Sequence, residues 1–426
     1  WESVLPFFKK AENQERGADE FHGAGGPLRV SNPVHSPLGD AMVQAAIEAG
    51  IPANPDFNGA RQEGVGYYQT TTGNRARWSA AKAYLKPARN RPNLKIETNA
   101  HACRVLIENN RAVGVEYQTP RGPAIARCRG EVIVSGGVYG SPQLLQLSGL
   151  GPGELLQQQG IAVVRDMPGV GAHLHDHFNT YLVWRCSQKV TINDLAASGV
   201  KKLVAGAQYV FTRSGHLSNA GIYAGAFVKS DPRLEQPDLQ INMFGWSALE
   251  RLRTGIRPHP FSAFTLSPVH LRPEGRGSVR IKSPDPLAPP AIQFNFLASD
   301  YDFQALIYGS RLARKIAAQP ALRPFIVEEV IPGPACETDD QFVEEIRVRG
   351  VSNLHPVGTC RMGPDSDLTA VVDPRLRVHG IQGLRVADAS IMPQVPGGNT
   401  NAPSIMIGEK CAAMILEDAR QDARAA

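Results

Sequence analysis

No stretch of this chain approaches the roughly eighteen consecutive apolar residues that a helix needs to cross a bilayer, so there is no candidate transmembrane span. Its six cysteines (103, 128, 186, 336, 360 and 411) form no Cys-x-x-Cys pair. That scatter argues against a disulfide framework and suits reduced thiols in a cytoplasmic protein, with peripheral attachment to the inner membrane as the alternative. The net charge is only +5, and basic residues nowhere interleave with aromatic ones. The densest basic patch, Arg311-Leu-Ala-Arg-Lys315, reads as a solvated helix face, which excludes a nucleic-acid surface. Repeats and low-complexity tracts are lacking. So is a Gly-x-Gly-x-x-Gly turn after a β-branched strand: Gly23-Ala-Gly-Gly26 and Gly64-Val-Gly66 lack the strand–turn–helix context of a dinucleotide site. What is left, 42 % apolar and 20 % charged residues over 426 positions, is an ordinary globular composition with length for two domains.

Pattern reading yields two kinds of architecture. Pro37–Gly50 carries small apolar residues at helical spacing and stops at glycine. Leu94–Thr98, Arg104–Glu108 and Ala112–Tyr117 read as short strands, the last two joined by an Asn-Asn-Arg turn. Glu131–Ser135 is an apolar run ending in Gly136-Gly137, as expected of a buried parallel strand that feeds a helix at Ser141-Pro-Gln-Leu-Leu. In the proline-rich middle, strands are expected at Tyr181–Arg185, Ile222–Val228, Leu239–Phe244, Phe261–Leu266 and Ser278–Lys282. With a helix at Asp300–Ala318 they suggest an antiparallel sheet backed by helices. After about residue 350 the α/β character returns. The fold class is therefore α/β plus α+β, divided as 1–165, 166–350 and 351–426.

The chemistry-bearing residues lie near the end. His355-Pro-Val-Gly-Thr-Cys-Arg-Met-Gly363 supplies a histidine, and Gly397-Gly-Asn-Thr-Asn-Ala-Pro403 supplies Asn399, both in turn-forming sequence. A neutral imidazole can take a proton from an alcohol, and a neighbouring amide can hold the alkoxide without competing for that proton. Taken alone, each is equally a turn residue. Asn401-Ala-Pro reads as a helix start with an N-cap asparagine, whose free N–H groups and positive end would suit an anionic or electron-rich group. A second cluster, His173-Leu-His-Asp-His177, offers three histidines and Asp176 at spacings that metallo-hydrolases also use.

These motifs carry a resemblance. The stretch from His355 through Val371–Gly380, Gly383-Leu-Arg-Val-Ala-Asp-Ala-Ser-Ile-Met-Pro393 and Asn399 to Lys410 is similar to the C-terminal end of the glucose-methanol-choline (GMC) oxidoreductases. Gly137-Val-Tyr-Gly-Ser-Pro-Gln-Leu-Leu-Gln-Leu-Ser-Gly-Leu-Gly151 resembles a second signature of the family, with Val138 where alanine is usual. The resemblance implies FAD as cofactor and oxidation of an alcohol to an aldehyde. His355 would be the general base and Asn399 the group that holds the substrate oxygen. Ala102, Asp388, Ala389, Asn399, Thr400 and Asn401 would meet the flavin nucleotide. The family's Gly-x-Asn-Leu-x-Asp-His also covers Gly171–His177, and that version holds no metal.

Further expectations rest on the same likeness. A discontinuous FAD-binding domain would flank an inserted antiparallel-sheet substrate domain. Its Rossmann-like part would be incomplete, as in a chain lacking roughly the first quarter of a full member. Choline-directed members commonly read Ser-Asn-His-Phe-Glu-Ala-Gly where this chain has Ser218-Asn-Ala-Gly-Ile-Tyr-Ala-Gly225. Tyr223 thus stands where a carboxylate would counter a quaternary ammonium, which points to a neutral primary alcohol. His270 is a further candidate for the pocket wall. The electrons need an acceptor: a quinone, another dye-like carrier, or oxygen. The alternatives are a choline dehydrogenase and an inactive remnant unable to hold FAD, and flavin absorbance in the purified chain separates the latter from an enzyme.

Overall fold

The computed structural model describes residues 1–196, 198–218, 221–252 and 255–425. Asn219 and Ala220 of the Ser218–Gly225 motif lie outside the described residues. The largest sheet has eight strands. Across it run Ile326–Ile331, Leu182–Cys186, Ala263–His270, Leu239–Phe244, Ile222–Val228 and Gly64–Tyr67, all antiparallel. Phe178–Asn179 and Val351–Ser352 continue it beside the end of Ala263–His270.

Strand periodicity explains the layers. On Ala263–His270, which is buried along its whole length, Phe264, Leu266, Pro268 and His270 turn to one face, and Thr265, Ser267 and Val269 to the other. The first face packs on the helices Pro37–Glu48 and Asp300–Ala317 through a core that includes Leu38, Met42, Phe264, Leu266 and Ala313. Both helices begin at a serine whose hydroxyl accepts an N–H of the first turn, Ser36 from Gly39 and Ser299 from Asp302. Gly309 lets the second helix settle on the sheet, because a Cβ there would stand 2.7 Å from the Pro268 Cβ.

The second unit is α/β. Val132–Val134 pairs in parallel with Leu384–Val386, as the apolar run at 131–135 suggests. The Gly137–Leu147 helix follows, starting four residues before Ser141 and running through Pro142. Proline has no N–H to offer the Val138 carbonyl, and the Thr359 hydroxyl takes that acceptor at 2.7 Å. The helix irregularity thereby anchors the 355–363 segment. The Asn401–Ala425 helix packs on Leu5–Ala11, with Lys10 and Glu409 2.7 Å apart.

Several expectations are corrected. Leu94–Thr98 forms no strand: Leu94 and Ile96 are 37 % and 39 % exposed, and among the described residues no strand pairs with them. The third strand of that small sheet is Gly122–Arg127, on the far side of the hairpin His101–Glu108 and Arg111–Thr119. The hairpin turns at Asn109-Asn110, both at positive φ, the conformation that asparagine tolerates best among non-glycine residues. Ser278–Arg280 pairs with Ala291–Gln293 outside the large sheet. The helices Gly199–Thr212 and Asp339–Arg349 are not among the expected elements, although Thr338 and Gln341 form a capping box that signals the second. The large sheet also draws Gly64–Tyr67 and Val351–Ser352 from outside residues 166–350, because its edge strands take partners wherever the chain returns.

Candidate active site

The site forms where the Phe178–Asn179 and Val351–Ser352 strands meet the loop before the C-terminal helix. Leu354, immediately before His355, adopts a positive φ of 62°. The Asp176 carboxylate accepts the His355 backbone N–H at 2.8 Å and the Ser352 hydroxyl at 2.5 Å. This aspartate therefore fixes the backbone that carries the ring and not the ring itself.

Three neutral groups meet the imidazole. Asn399, 44 positions along the chain, places Nδ2 3.0 Å from His355 Nε2. His177 Nδ1 lies 3.0 Å from His355 Nδ1, with the rings edge-on at 89°. Asn353 Nδ2 is 3.1 Å from the same nitrogen. Burial holds the His355 ring down at about 4, so it is neutral at physiological pH. Asn399 itself is exposed, leaving Nε2 at the mouth of the site. A neutral imidazole nitrogen beside an amide donor can remove a proton from a hydroxyl and hold the oxygen that remains.

The His173–His177 cluster does not converge. His175 accepts the Val395 N–H on Nδ1 at 3.1 Å and donates Nε2–H to the Pro273 carbonyl at 2.8 Å, so both its nitrogens are engaged. His177 turns to His355, and His173 sits at a positive φ of 60°. Among the described residues no three ligating side chains gather for a metal.

Other candidates are distributed unevenly. Asp388 accepts from the Gly137 N–H at 2.9 Å, the Ser141 hydroxyl at 2.5 Å and the Ser390 N–H at 2.8 Å. It bolts the Gly137–Leu147 helix to the loop after Leu384–Val386, with Ala389 half-buried beside it. Thr400 precedes the C-terminal helix, and its carbonyl accepts the Ser404 N–H at 3.1 Å. The cap therefore falls on Thr400 and the helix begins at Asn401, one position earlier than an N-cap at Asn401 implies. Ala102 is exposed on His101–Glu108.

The two substrate candidates are not brought to His355. A β-bulge between Ile222 and Ala224 turns Tyr223 into the helix-side core, against Gly39 and Gly245. His270, fully buried on the same side, pairs its Nε2 with Asp302 Oδ1 at 3.1 Å. Nor does His355 line the neighbouring cleft of about 290 Å³, whose walls include His175, Arg272, Arg276 and Gln394. The sequence reading missed Asn353 and the roles of His177 and Asp176. The Asp-His pair was visible, but no spacing rule joins it to a residue nearly 180 positions away.

These buried rings predict an acid-sensitive fold. Burial holds His175 at about 4 and His177 well below 6.5. Between that range and 6.5 the unfolded chain binds protons that these two rings and His355 refuse, so stability falls as pH is lowered through this window. Asp176, raised to about 6 by burial, works in the opposite sense, one group against three. The urea midpoint is expected to drop between about pH 7 and 5, and a flat midpoint would show that the rings titrate normally.

Comparison with known proteins shows the family. The GMC oxidoreductase family matches at residues 1–179 with its N-terminal part and at 273–408 with its C-terminal part. The chain is 40 % identical over 425 residues to the alcohol dehydrogenase [acceptor] of Pseudomonas putida, covering 98 % of this chain and 75 % of that protein. It is 40 % identical over 412 residues to the mitochondrial choline dehydrogenase of Homo sapiens, covering 96 % and 69 %. Pyridoxine 4-oxidase from Mesorbium loti superposes with a TM-score of 0.85 at 28 % identity, covering 97 % of this chain and 76 % of that one. Formate oxidase gives 0.90 at 25 %, covering 99 % and 79 %. The chain belongs to the GMC oxidoreductases, and it is an FAD-dependent oxidoreductase acting on CH–OH groups.

Proposed function

We propose that this protein oxidises a neutral primary alcohol to an aldehyde, with His355 as general base. The observation that carries the reading is the 3.0 Å contact between His355 Nε2 and the Asn399 amide at an exposed edge. A substrate hydroxyl that displaces the amide from Nε2 would give its proton to that nitrogen and take a hydrogen bond from Asn399 as charge gathers on oxygen. Asp176 holds the backbone of the base during that transfer. FAD, when bound, supplies the acceptor for the hydride leaving the carbinol carbon. The residues fit it: the Asn401–Ala425 helix opens its first turn beside Asn399, and first-turn N–H groups have no intrahelical acceptor. Thr400, Asn401 and the Asp388–Ala389 loop would hold it, with Ala102 on the adenine side.

The surroundings of the same ring bear on substrate charge. The groups around His355 are His177, Asn353 and Asn399, all uncharged, and the Asp176 carboxylate is already engaged. With no carboxylate to counter a quaternary ammonium, a neutral primary alcohol is expected to exceed choline in kcat/KM. A choline preference of about tenfold, worth about 1.4 kcal/mol, would overturn this.

The helix Gly199–Thr212 supports peripheral attachment to an anionic membrane surface, where a quinone-like acceptor would reside. Val200, Leu203, Val204, Val210 and Phe211 are 60 % to 85 % exposed, while Ala205 on the opposite side is buried. Steps of about 100° per residue gather those five on one outward stripe. Lys201 and Lys202 flank it, and no acidic residue occurs between Asp194 and Asp231. Co-sedimentation with phosphatidylglycerol vesicles is expected, weakened by salt and by Phe211→Asp. Self-association through the stripe in ultracentrifugation, without vesicle binding, would reject a lipid partner.

A further inference from the structure

We infer that His177 is a positioning residue, which holds the proton of His355 on Nδ1 and so keeps the Nε2 lone pair aimed at the substrate. This rests on His355 being the base.

A neutral imidazole has one N–H. Amide nitrogens stand at both ring nitrogens, Asn399 Nδ2 at Nε2 and Asn353 Nδ2 at Nδ1; a base must keep its lone pair on the substrate-facing nitrogen, Nε2, so the ring proton lies on Nδ1. Facing Nδ1 at 3.0 Å is His177 Nδ1, which must then be the acceptor, with the His177 proton on its own Nε2. The groups around His177 allow this tautomer and oppose a second charge. Its ring is fully buried, and His175, His270 and His355 all disfavour a cation there. The Pro396 carbonyl favours a proton on the ring, while Nε2 has no hydrogen bond of normal length. The one nearby carboxylate, Asp176, is turned to Ser352 and to the His355 backbone.

The consequence is specific to a neutral partner. When His355 takes the hydroxyl proton on Nε2, it becomes a cation with N–H on both nitrogens. His177 Nδ1 then accepts a charge-assisted hydrogen bond without itself changing charge. A carboxylate in that place would raise the base's affinity for protons and leave it charged at rest. The imidazole instead orients the ring and raises its proton affinity less than a carboxylate would, so the base stays unprotonated at rest, at the cost of burying a second polar ring.

Three variants test the assignment in FAD-loaded enzyme: His177→Leu, His177→Gln and His355→Ala. Leucine removes the acceptor and lets His355 turn its proton to Nε2. We expect kcat to fall about 10- to 100-fold with flavin content retained, and the acid limb of kcat/KM to move to lower pH. Glutamine can accept from Nδ1 and is expected to restore most of the rate and the wild-type limb. Imidazole ¹⁵N shifts read the tautomer directly: His355 should carry its proton on Nδ1 in wild type and on Nε2 in the leucine variant. Equal loss in both His177 variants with an unmoved limb would reduce His177 to packing and sink the inference. So would a wild-type His355 tautomer in the leucine variant. If His355→Ala keeps full turnover, the base itself is misassigned; if only that variant loses turnover, the base stands and the positioning role fails.

Discussion

His355→Ala is expected to lower kcat by a factor of about 10² to 10⁴, the usual worth of a positioned general base. Flavin content should stay close to wild type, because the ring's partners are His177, Asn353 and Asn399, and none is bonded to the Asp388 loop. Asn399→Ala should also slow turnover, since it withdraws the donor aimed at the developing alkoxide. In the double variant the losses should fall well short of additive, because both residues act on one oxygen. Single-turnover flavin reduction is the deciding measurement. Wild-type reduction rates in His355→Ala would place the base elsewhere. The pH profile gives a second check: with the ring held at about 4, kcat/KM should be level through neutrality and decline only in acid.

The second large effect is on stability. Arg385, 2 % exposed, forks onto Glu131 at 2.5 and 3.0 Å and reaches Asp418 at 2.6 Å and the Arg375 carbonyl at 2.7 Å. It joins the strand leading to Asp388, the start of its parallel neighbour and the C-terminal helix. Arg385→Met would leave two carboxylates facing an apolar stem. Breaking a buried pair in this way costs about 3 to 5 kcal/mol, and we expect the low end because Glu131 and Asp418 keep 24 % and 22 % exposure. Arg375→Met is the control: that arginine is 33 % exposed on the same Asp418, and its loss should cost under about 1 kcal/mol. Urea midpoints of the two variants separate these outcomes, and equal shifts would contradict the burial argument. Burial pushes the Asp418 carboxyl up, but its bonds to Arg385 and Arg375 outweigh this and hold it below 3.8. The contribution is thus present above that pH and disappears as acid protonates Asp418 in the folded state.

How far the sequence carried the structure depended on the range of the forces involved. Local signals were sufficient for Ile222–Val228, Leu239–Phe244, Pro37–Glu48 and Asp300–Ala317, because alternation, helical spacing and a capping serine act within a few residues. They failed at Leu94–Thr98, whose composition suits a strand but which pairs with no strand among the described residues. They also failed at Gly199–Thr212, whose apolar stripe faces outward and not into a core.

For the site the division is sharper. Motif resemblance singled out His355, Asn399 and Asp388, since those segments hold turn-forming residues in a long, specific order, and the residue pattern itself put a helix start at Asn401. Tertiary structure alone decided what each residue faces. A bulge of one residue turned Tyr223 into the core, and the twofold period of a strand put His270 on the helix side with Asp302. Pairing of Phe178–Asn179 with Val351–Ser352 brought His177 to His355 across 178 positions of chain. Sequence fixes which side chains exist and the local geometry they favour. The tautomer of a base is set by whichever donor or acceptor the fold places 3 Å from each nitrogen, and no local rule encodes that.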